Sequence, residues 1–215
     1  MTGRSLLVGL AALLLVAGAF ASPAHASFSL IAHTGAQSSD GVSATTAGIN
    51  TTGATLLVVA VANLFGNSPS FTDSNSNTWS ALTPRDTGSG CRVTLYYVAN
   101  PTVGAGHTFS VNVGGGSQFP AITVVAWAGN AASGPETENG ATASATTIAT
   151  GSVTPALTNG LIVAAACHSE VFASSVDSGF TISDDEPRRQ QPGLRQHHGL
   201  HRRDVDRRAR PELLG

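Results

Sequence analysis

Between Phe28 and Ser183 the chain breaks into nine short runs of apolar or alternating residues, and none keeps a helical period over a useful length. The runs cover residues 28–33, 55–63, 78–82, 91–99, 107–113, 121–128, 145–150, 161–168 and 180–183. Turn-forming clusters separate many of them, such as Phe65-Gly66-Asn67-Ser68-Pro69, Asn100-Pro101, Gly114-Gly115-Gly116, Gly129-Asn130 and Asn159-Gly160. Gly, Pro and Asn take the backbone through tight turns, so these clusters end strands. Ser, Thr, Ala and Val are abundant here, while Glu, Lys, Arg, Met and Gln are scarce, which leaves few strong helix formers.

Many short strands without a long tandem repeat make an all-β fold. We expect an antiparallel β-sandwich, jelly-roll or Ig-like, of roughly eight to ten strands. Three runs, 56–61, 122–127 and 161–166, are almost wholly apolar, as suits central strands with little exposure on either face. Others alternate. In 91–99, Cys91, Val93, Leu95 and Tyr97 share one face, and Arg92, Thr94 and Tyr96 share the other. The expected core includes Leu57, Val59, Trp79, Val93, Leu95, Phe109, Val111, Val124, Leu161 and Val163. Apolar area removed from water is worth about 25 cal/mol per Å².

Charge divides the chain into three parts. Residues 1–26 have the form of a secretory signal peptide, with Arg4, an apolar run over 6–20, and Ala24-His25-Ala26 as a small-residue cleavage site before Ser27. The run is shorter than the roughly 18 apolar residues of a membrane span. The mature chain is therefore expected outside the cell or on its surface, with no membrane span. Residues 27–187, the expected sandwich domain, carry Arg85 and Arg92 against ten acids, a formal charge of −8. That balance argues against nucleic acid as a partner, because phosphate binding needs clustered positive charge. Residues 188–215 hold eight Arg and three acids, a charge of +5, with almost no strand signal.

The order of motifs is distinctive. A strand Thr55-Leu56-Leu57-Val58-Val59-Ala60-Val61 is followed by Asp73-Ser74-Asn75-Ser76-Asn77-Thr78-Trp79, then Val93-Thr94-Leu95-Tyr96-Tyr97, His107-Thr108-Phe109-Ser110-Val111 and Val124-Val125-Ala126-Trp127-Ala128-Gly129. Over residues 28–183 this resembles a group of poorly characterised exported bacterial β-sandwich domains, some attached to larger surface or phage-associated proteins. Ser76 stands where that pattern has Gly, and Ala126-Trp127-Ala128-Gly129 replaces its "E-Y-S-G". The resemblance implies a sandwich and carries no catalytic residues with it.

Candidate sites are few. Asp73, Asn75 and Asn77 have the alternating oxygens that open a calcium loop, but Thr78 and Pro84 stand where such a loop needs Gly and Glu. The rival reading is a polar β-turn that feeds Trp79 into the core. Cys91 and Cys167, 76 positions apart, form either a disulfide, which export favours, or two buried thiols. Tyr96 and Arg92 share a strand face that offers a sugar-stacking platform if it is open, and a packing face if a second sheet covers it. His168, Ser169 and Glu170 are neighbours along a strand and so point apart, which does not suit a triad. His33 and His107 are single residues in strands, in the manner of packing or surface groups. No nucleophile elbow, zinc motif, phosphate-binding loop or dinucleotide fingerprint is present.

Two function classes follow. One is a non-catalytic exported module for adhesion, glycan contact or assembly, with a glycan or cell-surface component as partner and no cofactor beyond the calcium alternative. The other is a glycan-directed hydrolase on a sandwich scaffold, with acids from loops such as Asp86, Glu136 and Glu138.

The basic segment has its own difficulty. A sandwich needs its closing strand, or an edge stays open. A disordered tail at 188–215 leaves it without one. One reading is a basic arm for nucleic acid or anionic surfaces, for which an exported acidic domain has little use. The other is a frameshift, which accounts both for the Arg-rich composition and for the missing strand. Read one base later, His198-Gly199-Leu200-His201 becomes Met or Thr, then a small residue, Asp or Val, then Tyr, Phe, Ser or Cys, then Ile or Thr. That is a strand-like peptide. The export reading is checked by mass spectrometry of the secreted protein, whose first residue should be Ser27.

Overall fold

The structure, a computed structural model, describes residues 27–39, 41–64, 68–88, 90–116, 118–129, 134–143, 145, 147–156, 160–168, 175–176, 179–187 and 197–204. The expected signal peptide lies outside them, as do Ser169 and Glu170. Twelve strands follow in chain order: β1 (Ser29–Gln37), β2 (Ser43–Thr45), β3 (Leu56–Leu64), β4 (Ser70–Asp73), β5 (Ser80–Ala81), β6 (Arg85–Asp86), β7 (Cys91–Ala99), β8 (Phe109–Asn112), β9 (Ala121–Ala128), β10 (Leu161–His168), β11 (Thr181–Pro187) and β12 (His197–Asp204). The described residues contain no helix, and no helix among them is long and apolar enough to cross a membrane.

Every pairing is antiparallel. The central sheet runs β1-β9-β3-β7-β5, with β6 also on β7; a second sheet runs β2-β8-β4 and a third β10-β12-β11. The strand period explains how they stack. On β3, Leu57, Val59 and Val61 pack with Ile122, Val124 and Ala126 of β9 against Ala44, Phe109 and Val111 of the β2-β8-β4 sheet. The alternate residues Val58 and Ala60, with Val125 and Trp127, pack against Leu161, Val163 and Ala165 of β10. The chain is thus an antiparallel sandwich in three layers, and the central sheet is covered on both faces. That is why β3 and β9 are apolar at almost every position: neither face meets water.

The expected core residues lie in these layers. Leu57, Val59, Phe109, Val111 and Val124 are fully buried, and Trp79, Leu95, Leu161 and Val163 pack against the two clusters at partial exposure. Val93 is half-buried.

Three features join the third sheet to the centre. The Sγ atoms of Cys91 on β7 and Cys167 on β10 are bonded at 1.97 Å, with Cα atoms 6.1 Å apart. His33 Nδ1 lies 3.4 Å from Asp184 Oδ2, linking β1 to β11. Gly35 leaves room for the Glu186 side chain, which a Cβ at that position would meet.

One expectation changes. The described residues of 145–150 form no strand; the described part of 134–160 is an irregular, mostly exposed connection between β9 and β10. Its Ala, Ser and Thr residues offer no apolar face to bury. Glu138 instead accepts hydrogen bonds from the N–H and hydroxyl of Thr83, between β5 and β6, and Glu136 Oε2 accepts one from Ala156 N–H at 2.8 Å. The connection therefore runs beside the β5–β6 edge of the central sheet, where an unpaired edge invites foreign strands.

Within the basic segment, residues 197–204 pair as β12 with β10 and β11. The rest of 188–215 lies outside the described residues.

The disulfide closes a loop with a sequence separation of 76. Loop-closure entropy sets its contribution at up to about 4–5 kcal/mol. Urea unfolding of Cys91→Ser, or of the parent under reductant, should show a lower midpoint with the sheets intact by circular dichroism.

Candidate functional site

Asp73 ends β4, and the strand period turns it the same way as Phe71, into the space between the sheets. Its side chain has no exposed surface. Burial alone would drive a carboxyl to its neutral form. Here five N–H groups converge on it. Asn75 N–H donates to Oδ1 at 2.8 Å, and Asn77 donates through its backbone N–H to Oδ2 at 3.2 Å and through Nδ2 to Oδ1 at 3.2 Å. Trp79 Nε1 donates to Oδ2 at 2.5 Å, and His107 Nε2 to Oδ1 at 3.0 Å. Burial raises the pKa, but the bonds from Trp79, His107, Asn75 and Asn77 outweigh it and hold the carboxyl below the ordinary value of 3.8.

The network continues through His107, which is wholly buried and stacks on Phe109 with ring centroids 4.3 Å apart. An ionised Asp73 only accepts, so His107 Nε2 carries a hydrogen. The Thr51 hydroxyl, 3.0 Å from Nδ1, donates to it in the neutral tautomer, and Thr51 Oγ1 accepts Gly104 N–H at 3.1 Å. A hydroxyl, an imidazole and a carboxylate thus lie in series, as in a nucleophile relay. Thr51 and His107 have no exposed surface, so no substrate reaches them. The series is a structural latch.

The calcium candidates belong to this latch. Asp73 has its oxygens occupied by N–H donors, Asn77 Oδ1 accepts Thr102 N–H at 2.6 Å, and Asn75 and Asn77 both donate through Nδ2 to Thr102 O. The oxygens of Asp73 and Asn77 thus already accept hydrogen bonds, and the turn carries Trp79 inward. Among the described residues, no group of three or more His, Cys, Asp or Glu is placed to hold a metal ion. Ser76 sits in this turn at φ 56°, a left-handed conformation that favours Gly, the residue of the resembling pattern.

Tyr96 and Arg92 do not form an open platform. Tyr96 packs against the core between the central sheet and β2-β8-β4, with its ring 5.3 Å from that of Phe71. Burial pushes its phenol pKa up, and the nearby Arg92 charge offsets part of that. The hydrolase candidates are dispersed as loop caps: Asp86 accepts Gly88 N–H at 2.6 Å, while Glu136 and Glu138 bind different segments.

The chemically distinct open surface is the outer face of β2-β8-β4. Register sets Ser43, Asn112 and Ser70 in one row and Thr45, Ser110 and Thr72 in the next. These six residues alternate with the buried Ala44 and Val111 and the core-packed Phe71. Thr45 and Ser110 hydroxyls lie 2.9 Å apart, and the Ser70 hydroxyl donates to Asn112 O at 3.1 Å. Neighbours within a row are spaced by the strand separation of about 4.8 Å, and the rows by about 6.8 Å. No charge or aromatic ring stands in the array. Comparison with known proteins finds no matching family model, no similar curated protein and no similar solved structure.

Replacing Asp73 by Asn removes one acceptor oxygen and turns an amide N–H₂ toward the converging donors. Asp73→Asn should destabilise by about 2–4 kcal/mol at neutral pH. Because the folded pKa lies below 3.8, Asp73's stabilisation is full above that value and is lost as pH falls through the depressed pKa. Melting curves of parent and variant should therefore be furthest apart near neutrality and converge in acid.

Proposed function

We propose that this is an exported, non-catalytic module that contacts a neutral glycan, or a cell-surface component bearing one, through the outer face of β2-β8-β4. The reading rests on the two rows of Ser, Thr and Asn. Hydroxyls and amides both donate and accept, which matches the alternating donors and acceptors of a sugar chain. With no charge in the array, nothing favours an anionic ligand over a neutral one. Export follows from the form of residues 1–26, and a place outside the cell puts this face among surface polymers.

Retention of the purified protein on a panel of insoluble neutral polysaccharides tests the proposal. A Ser110→Lys variant places a long cation at the centre of the array without touching the core. It should lose retention at least about tenfold, the equivalent of 1.4 kcal/mol, while melting as the parent does. Equal retention of parent and variant would remove the face from consideration. Sugar release that disappears with Glu136→Ala or Glu138→Ala would transfer the reading to the hydrolase.

A further inference from the structure

The hydroxyl face runs further than its two rows. From Ser68 to Ser80 every second residue is Ser or Thr, and each of them is exposed. Between them Pro69, Phe71, Asp73, Asn75, Asn77 and Trp79 are buried or half-buried, so the outward positions of this segment all carry hydroxyls. On the sheet, the pairing of β4 with β8 continues past Asp73. Ser74 N–H donates to Thr108 O at 3.0 Å, and Thr108 N–H donates to Ser74 Oγ at 3.1 Å. Ser74 and Thr108 thus add a third row to the rows of Ser43, Asn112 and Ser70 and of Thr45, Ser110 and Thr72. The array measures about 10 Å across its three strands and about 14 Å along them. It is level, because none of its side chains is longer than Asn. It is also fixed: Thr45 is tied to Ser110, Ser70 to Asn112 O, and Ser74 to Thr108 N–H.

We infer, resting on the proposed glycan reading, that this array takes an ordered neutral polysaccharide, its chains already aligned side by side, in preference to a free sugar chain. A free chain laid on the array loses the freedom of its glycosidic torsions. Against that loss stand hydrogen bonds that each net about 1 kcal/mol. No ring in the array adds stacking, and no charge adds attraction. A chain held straight by its neighbours in an ordered polymer has already given up its freedom, so the same bonds count in full. The protein side is prepared in the same way, because short side chains already tied to the sheet lose little further freedom on contact. Shape points in the same direction. Three columns of hydroxyls are wider than a single extended sugar chain, whereas aligned chains fill that width. A level array meets the level surface of an ordered polymer along its whole length, and no side chain stands up to hold the two apart.

Depletion binding of the purified protein tests this on cellulose, α-chitin and β-1,3-glucan. Each is used in crystalline and in swollen amorphous form, beside soluble hexasaccharides of the same sugars. At least one crystalline form should bind about tenfold or more tightly than its swollen form, although swelling exposes more chain. The hexasaccharides should show no measurable binding. Two single variants, Ser70→Tyr and Thr72→Tyr, each raise a ring above the array from an exposed position. A variant that melts as the parent does should lose the preference for the crystalline form. Equal or tighter binding of the parent to the swollen forms or to the hexasaccharides would overturn the inference and leave the glycan reading standing. So would an undiminished crystalline preference in a variant that melts as the parent does. Retention by none of the polymers would overturn both the inference and the reading beneath it.

Discussion

A carboxylate taken wholly out of water is the constraint around which one half of this sandwich is arranged. Asp73 would cost several kcal/mol to bury alone and charged. Its donors come from the turn that follows it, from the Trp79 indole and from His107. Each donor has its own consequence. The turn reverses the chain, the indole bond aims Trp79 between the sheets, and the His107 bond holds β4 to the start of β8. Through Thr51, the same network reaches Gly104 and the connection before β3. Segments far apart in sequence meet at this carboxylate, and the aromatic layer of Phe71, Trp79, Tyr96 and Phe109 assembles beside it.

The other half follows a different logic. Its contact with the central sheet is mainly apolar, through β10 against β3, β7 and β9, and a covalent bond at Cys91–Cys167 reinforces it. No buried polar hub like Asp73 stands on that side among the described residues. The two faces of one sheet are thus held by a hydrogen-bonded latch and by a cross-link with packing. Truncating the latch leaves a buried group unpaired, whereas cutting the cross-link leaves the layers packed and restores only chain entropy to the unfolded state.

What the sequence made legible was local. The bounds of β7, β9 and β10 coincide with apolar or alternating runs, because a strand's period is written in neighbouring residues. The short strands β2, β4 and β6 were not legible: Ser43–Thr45 and Arg85–Asp86 are too brief to show a period and owe their pairing to β8 and β7. Covering of both faces was announced by the unbroken apolar character of 56–61 and 122–127, although which elements cover them was not. The latch was half legible. Asp73, Asn75, Asn77 and Trp79 at two-residue steps marked a special turn, but His107 and Thr51 are distant in sequence and have no local pattern. Tyr96 shows the limit of alternation, which assigns a residue to a face without saying whether that face meets water or another sheet.

Placing the aromatics inside has a consequence for the proposed binding role. Trp79, Tyr96 and Phe71, the side chains best suited to stack on sugar rings, are committed to the layer beneath β2-β8-β4. The surface above them offers hydroxyls and an amide, which exchange hydrogen bonds with water as readily as with a sugar. The net gain per bond is then about 1 kcal/mol, and six residues cannot all be engaged at once. On the proposed reading, one module of this design would hold a glycan weakly. Strong attachment would require many copies facing a repeating polymer, where each further contact forms at high effective concentration. On the proposed reading, the neutral array, the export segment and a polymeric surface partner belong together, because weak contacts of this kind hold only when they are repeated.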